Sequence, residues 1–572
     1  MWIINDKGVL TIKIITADVL VLGCGPAGLL AALESKKRGC YVIAVDKGIV
    51  GNDCSAIGAK QVAATGPWSV DEDGPDIHYE DTLKSGCYIN DEKLVRLLVS
   101  KIGRVIIELH KLGMPFNRDK TGQYFQVVGP SPGHSKARSL FYSDITGKLL
   151  VETIYSECRR RGVKLFFEHI AIDLVKAQDG IAGALVLDLA LGELIFIRAK
   201  AVIITTGGIG RIYELTSNPV QNTGDGIALA LRAGAELMDL EFVQFYPITV
   251  IYPNAICGMN LNSHYYGAHL INSRGERFMS KYYPGQMEHI TRDKLSQSIF
   301  REILSGNVGP HGGVFMDATM IPVEIYAKEI PTEWNLAISS GIDLTKECLE
   351  IAPAAHYFMG GIRIDDRCRT KVRGLFAAGE CTAGVHGANR LANNGLAEAL
   401  AFGTVAGEIA SQYANEKKLS TYDPISLHRQ VSQLVNIFNN NGENPRHIIS
   451  NVKKIMTQNV GIIRNENTLR AAINLLDEYS IRRLSASLNS RWNPQLLEGI
   501  SVRNMILLGR AIARAAEKRK ESRGAHYRSD YTEMNDYKWR ANIVIKMNDQ
   551  GKIDLKCENV GARGCTDWDS IQ

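Results

Sequence analysis

The stretch Asp18-Val-Leu-Val-Leu-Gly23-Cys-Gly25-Pro-Ala-Gly28 constrains this chain more than any other. Its apolar, β-branched opening reads as a buried parallel strand, and the glycines follow at once. Gly23 permits a tight turn, Gly25 lets a pyrophosphate approach the backbone, and Gly28 lets the next helix pack closely on the strand. That helix is predicted from Pro26 and Ala27 to about Lys37, with its free N–H groups and positive dipole end aimed at the phosphates. A second apolar strand, Tyr41 to Val45, then delivers Asp46 and Lys47. Asp46 falls where a ribose hydroxyl of a dinucleotide needs an acceptor.

The rest of the chain must accommodate that unit. At 572 residues it exceeds what one hydrophobic core supports. A net charge of +5 without long basic runs gives no reason to expect nucleic acid as a partner. No uninterrupted apolar run is long enough to span a bilayer, and the N-terminus lacks a basic segment followed by a long apolar one. Eleven cysteines never fall at CxxC spacing. They are expected to be mostly reduced core residues of a cytoplasmic chain, with no metal or iron–sulfur site of its own. Any electron relay beyond a bound flavin would then need another polypeptide.

The small-residue run from Gly51 to Gly66 can approach a flat ligand closely. Leu94, Leu98, Ile102, Val105, Ile106 and Leu109 mark a helix over 90–113, and another is expected over Thr146–Arg161. Two strands follow near 164–167 and 182–188. Ala201-Val-Ile-Ile-Thr-Thr-Gly207-Gly208 and Gly374-Leu-Phe-Ala-Ala-Gly379-Glu380 are further strands ending in glycine or acid. Asp225 opens a helical pattern, and Gly395 and Leu396 lie at the start of another that runs from Asn394 to about Ile409. Such pieces are expected at one sheet edge, where doubly wound sheets bind ligands. From about 421 the pattern is helical and amphipathic, with Leu434, Ile437 and Phe438 as one example. The last 45 residues read as a polar, irregular, surface-wrapping tail.

Ordered motifs then accumulate: Thr223-Gly-Asp-Gly226, Glu241-Phe-Val-Gln-Phe245, Ile271-Asn-Ser-Arg-Gly-Glu-Arg-Phe-Met279, Thr291-Arg292-Asp293, His356-Tyr-Phe-Met-Gly-Gly361, His386-Gly-Ala-Asn-Arg390-Leu391 and Glu521-Ser-Arg-Gly-Ala-His526. With them the chain resembles, nearly end to end, the flavoprotein subunits of fumarate reductase and succinate dehydrogenase, together with L-aspartate oxidase. The resemblance implies a doubly wound, Rossmann-like α/β domain binding FAD (1–240 and 353–415). It implies an inserted α+β capping domain (241–352), a helical domain (416–527) and the tail (528–572). It also implies that Gly23–Gly28 hold the pyrophosphate, Asp46 the adenosine ribose, and Asp225, Glu380 and Gly207 other polar parts. The helix starting at Asn394 would point at the isoalloxazine. His356 and Arg390 match the binders of a substrate carboxylate, and Arg292 matches the general acid for hydride transfer between flavin N5 and an unsaturated acid. Taken alone, each has an ordinary reading, as a core histidine or a salt-bridged arginine.

Departures from the family pattern narrow the expectation. The covalent link of the members that have one is a histidine in the loop after the second strand. Here that loop reads Asn52-Asp53-Cys54-Ser55, and no histidine precedes His78, so FAD is expected to be held without a covalent bond. The family's Phe-His-Pro-Thr is Phe245-Tyr246-Pro247-Ile248, and its Thr-Glu pair and following Arg are replaced by Asn260, Leu261 and His264. One half of a dicarboxylate site survives, which disfavours plain fumarate or succinate. Tyr246 and His264 become candidates for the rewritten half, His264 as a proton relay that titrates near neutrality. Three readings stay open. One is an oxidoreductase acting beside a single carboxylate, on carbon–carbon or, as in the oxidase branch, carbon–nitrogen. The second is a true fumarate reductase or succinate dehydrogenase flavoprotein, docked to an iron–sulfur protein and membrane-associated only through partners. The third is an electron-transfer flavoprotein without a substrate of its own.

Overall fold

Lys13–Leu22, the strand that leads into the glycines, lies in the middle of a seven-stranded sheet. Val42–Val45 runs parallel on one side and Leu194–Ile204 on the other, and Leu375–Ala377 is parallel to the latter. The separated glycine-ended strands therefore share one sheet edge, as the sequence pattern required. Lys164–Phe166 extends the sheet beyond Val42–Val45, while Gly180–Asp188 and His169–Ala177 add an antiparallel edge. This computed structural model describes residues 12–49, 53–436, 442–485, 491–560 and 569–570, with backbone alone for 433–436 and 569–570. The N-terminal segment, Asn52, Ile437, Phe438 and Cys565 lie outside the described residues, as does the side chain of Leu434.

Local chemistry sets the helices that face the sheet. Pro26–Lys37 starts with proline in its first turn, buries Leu29, Leu30 and Leu33, and ends before Gly39, whose φ of +84° turns the chain back. Glu92–Lys111 is capped by Asp91, whose side chain accepts from the Lys93 and Leu94 N–H groups. Thr146–Arg160 matches expectation within a residue. The helix from Asn394 runs on to Glu416, well past Ile409. Its small residues allow close packing, with Gly403 and Gly407 against the backbone of Ala27 and Ala31.

Between Tyr246 and Ile351 the chain builds a second hydrophobic core, including Ile248, Leu270, Met316 and Ile351. Around it stands a four-stranded antiparallel sheet of Val243–Tyr252, Leu349–Phe358, Val314–Asp317 and His269–Ile271. Four helices follow further on: Pro424–Asn436, Pro445–Asn459, Glu466–Ser480 and Pro494–Lys518. The expected irregular tail is corrected by the structure. Ala541–Met547 and Ile553–Asn559 form an antiparallel pair that joins a six-stranded sheet through Leu237–Met238. Alternating Ile543, Ile545, Ile553 and Leu555, all buried, drive that pairing.

Candidate active site

A cavity of about 1050 Å³ opens along the sheet edge and continues beneath the second core. Gly23, Gly25, Pro26, Ala27, Asp46 and Lys47 line one end, and Gly207, Asp225, Glu380, Gly395 and Leu396 line its middle. Tyr246, Arg292, His356 and Arg390 line the far end. Two of the singled-out residues stand outside it, Gly28 and His264.

The glycines divide by role. A Cβ on Gly28 would sit 1.8 Å from the Gly23 carbonyl oxygen, and one on Gly23, whose φ is +104°, would meet the Thr205 carbonyl at 2.5 Å. Those two serve close packing. A Cβ on Gly25 would meet nothing nearer than the Cys54 Cβ at 3.8 Å, so the open side of that turn is free for a ligand. Two helices begin at the cavity with no side chain capping them, Pro26–Lys37 behind Gly25 and Asn394–Glu416 behind Asn393. Their free N–H groups suit a pyrophosphate and an electron-rich ring. The cradle fits FAD.

The polar residues of this half are already organised. Asp46 accepts the Cys24 and Gly48 N–H groups, and burial still pushes its carboxyl up. The Lys47 ammonium bonds Asp225 Oδ2 at 2.6 Å and Thr223 Oγ1 at 2.8 Å. Burial would raise the Asp225 carboxyl, but Lys47, Asn504 and Thr223 together hold it below the usual range. Glu380 is pushed up to about 8 by burial, against the Phe358 N–H bond and the Arg390 charge.

At the far end stand two neighbouring cations, Arg390 buried and Arg292 half-buried. Arg390 donates to Gln244 Oε1 at 2.9 Å and lies 4.4 Å above the Tyr357 ring. Arg292 lies 4.9 Å above the Tyr246 ring. Each guanidinium buries an Nε–H with no acceptor, and among the described residues neither has a carboxylate partner. Burial and the neighbouring Arg292 charge lower Arg390 to about 10. Burial and both arginines hold His356 neutral, well below the ordinary imidazole value. Its Nδ1 is 2.8 Å from the Ser217 hydroxyl. With that hydroxyl donating, Nε2 carries the hydrogen. A carboxylate placed here would relieve the repulsion and satisfy the orphaned donors.

The rewritten half differs from expectation. Tyr246 has one hydroxyl hydrogen, with Asn262 Oδ1 at 2.6 Å and the Leu261 carbonyl at 3.0 Å as its acceptors, so its donor is spent on the wall. Leu261 is fully buried in the second core. His264 is buried and lowered to about 3 by burial, Arg292 and His289, so it does not titrate near neutrality. Sequence reasoning did not single out Ser217, Gln244, Tyr357 and Glu333; Gln244 and Tyr357 lie inside quoted motifs, whereas Ser217 and Glu333 carry no local motif signal.

An α/β sheet edge with two bare helix starts and an FAD-shaped cradle defines an FAD-dependent oxidoreductase. Known proteins narrow this further. Residues 18–396 match the FAD binding domain, and 449–566 match the fumarate reductase flavoprotein C-terminal domain. An uncharacterized FAD-dependent oxidoreductase of Methanocaldococcus jannaschii is 36% identical over 534 residues, covering 92% of this chain and 96% of that one. A fumarate reductase (CoM/CoB) subunit of Methanothermobacter marburgensis is 34% identical over 536 residues, again 92% and 96%. The solved structure of E. coli quinol fumarate reductase superposes with a TM-score of 0.89 at 29% identity, covering 96% of this chain and 98% of that one. The chain belongs to the family of fumarate reductase and succinate dehydrogenase flavoproteins and L-aspartate oxidase.

Proposed function

We propose that this chain transfers a hydride to or from the carbon skeleton of an acid that carries one recognised carboxylate. The observation that carries this reading is the neighbouring pair of guanidiniums, each with a buried, unpartnered Nε–H and both lining the cavity. Arg390 offers a planar fork of donors matched to a carboxylate, and the neutral His356 adds one N–H. FAD, held without a covalent bond, supplies the hydride donor or acceptor. Arg292 holds the proton exchanged at the carbon beside the carboxylate, a task for which its high basicity is no bar when the conjugate carbon acid is weaker still. Tyr246, Asn262 and Tyr265, phenols and an amide, are among the residues lining this end of the cavity, which supports an uncharged far end over a second carboxylate.

The same reading divides the chain into flavin layer (1–240, 353–415), capping layer (241–352), helical region (416–527) and C-terminal segment (528–572), the last now with its strand pair. A second reading is a flavoprotein of a fumarate reductase or succinate dehydrogenase complex with an iron–sulfur protein as electron partner. It is favoured by two relatives, one named for fumarate reductase and the other for the succinate dehydrogenase flavoprotein. No helix among the described residues is long and apolar enough to cross a membrane, so on this reading membrane association runs through partners. Anaerobic oxidation of reduced viologen by a panel of unsaturated mono- and dicarboxylates separates the two. Faster turnover of monocarboxylates supports the first reading, fumarate as the best substrate supports the second, and no turnover of any acid overturns both.

A further inference from the structure

Helix Pro331–Ser339 of the capping layer begins on side chains of the flavin layer. Its Thr332 N–H donates to Asp144 Oδ2 at 2.8 Å, and Glu333 Oε1 takes the Lys60 ammonium at 2.8 Å. Asp144 and Lys60 both line the cavity. Glu333 is buried at 1% exposure and does more than pair with Lys60. Its carboxylate also receives the Asn262 N–H at 2.7 Å and the Ser263 hydroxyl at 3.0 Å. Asn262 then accepts the Tyr246 hydroxyl at 2.6 Å, and the Tyr246 ring carries the Arg292 guanidinium 4.9 Å above it. Contacts thus run without a break from an ammonium on one layer to a guanidinium on the other.

We propose that Glu333 is a positioning residue for Arg292, and that Lys60 makes this positioning depend on the capping layer being seated over the cavity. The proposal rests on the hydride-transfer reading for the role of Arg292. Arg292 makes no hydrogen bond through its Nε–H, so its place is set by the surface it rests on, the Tyr246 ring. The Tyr246 hydroxyl bonds the 261–263 loop, which Leu261 anchors through its N–H to the Ile248 carbonyl at 3.0 Å, while at Asn262 and Ser263 the loop is held by the Glu333 carboxylate. Without Lys60 the buried Glu333 keeps only neutral donors, and a buried carboxylate that loses its cation is strongly destabilised. The loop would then shift to admit water, and Arg292 with it. Displacing a reacting group by about 1 Å costs on the order of 100-fold in rate.

The test uses the FAD-loaded protein carrying Lys60→Met, Lys60→Arg or Glu333→Gln. Amide hydrogen exchange is followed over residues 260–266 and 292–296, beside kcat and KM for the best acid of the panel. The expected result for Lys60→Met is faster exchange in both segments with unchanged FAD content. With it comes a kcat loss of about 10-fold or more and a KM change of no more than about 3-fold. Lys60→Arg keeps the charge and should recover most of the kcat. In an Arg292→Lys background, Lys60→Met should cost little more, because the residue it positions is already displaced. Unchanged exchange in both Lys60→Met and Glu333→Gln overturns the latch, and a full kcat loss persisting in the Arg292→Lys background overturns the positioning role. Exchange needs no substrate, so it decides the latch even if the wild-type protein turns over no acid, a result that would count against the hydride-transfer reading alone.

Discussion

Arg390 is the residue on which affinity should depend most. Lysine keeps the charge but not the two-pronged geometry, so Arg390→Lys is expected to weaken the acid's apparent affinity by about 30-fold, or about 2 kcal/mol. Titrating the flavin spectrum with the acid measures it, and unchanged affinity removes Arg390 from the site. Glu380 gives a stability prediction. Its carboxyl sits at about 8 in the folded chain against an ordinary value of 4.5. Between those values the folded chain holds a proton that the unfolded chain has released. Stability is therefore greatest below that window and falls as pH rises through it, by up to about 1.4 kcal/mol per pH unit. In flavin-free protein, Glu380→Gln should flatten the decline of melting temperature between pH 5 and 8, and an equal decline in both proteins refutes the assignment. Arg390, His356 and Arg292 were legible in the sequence because each sits inside a dense motif. The neutrality of His356 was not, since it comes from burial and from two arginines distant in sequence, and burial with Arg292 and His289 takes His264 out of the neutral range.

Elements were legible where one period or one cap fixes them. The strand, the glycine turn and helix Pro26–Lys37 follow from adjacent residues, and so does Asp91 at the start of Glu92–Lys111. The pair Ala541–Met547 and Ile553–Asn559 was readable too, from its alternation and the turn at Gly551, yet its docking partner Leu237–Met238 lies some 300 residues away. Neither periodicity nor motif reports a pairing of that separation. The loop around Asp53-Cys54-Ser55 lines the cavity without an imidazole. The nearest histidine in sequence, His78, is fully buried against Asn394 at 2.8 Å. Acid precipitation is accordingly expected to leave the yellow colour in the supernatant. Flavin remaining with the pellet would mean a link through some other side chain.

For the whole molecule, the decisive feature is that two separately cored layers meet over one cavity. Arg390 comes from the flavin layer and His356 from the strand shared with the capping sheet, while Arg292 comes from a capping-layer helix. On the proposed reading, the proton comes from a capping-layer residue and the hydride from the flavin layer, so only the assembled molecule would supply both. Turnover by Arg292→Ala tests this most directly, read beside its FAD content and the reduction of its flavin by viologen. The expected result is full flavin content and normal flavin reduction, with turnover of the acid lowered by at least about 100-fold, as for loss of a general acid. Full turnover in Arg292→Ala would contradict it.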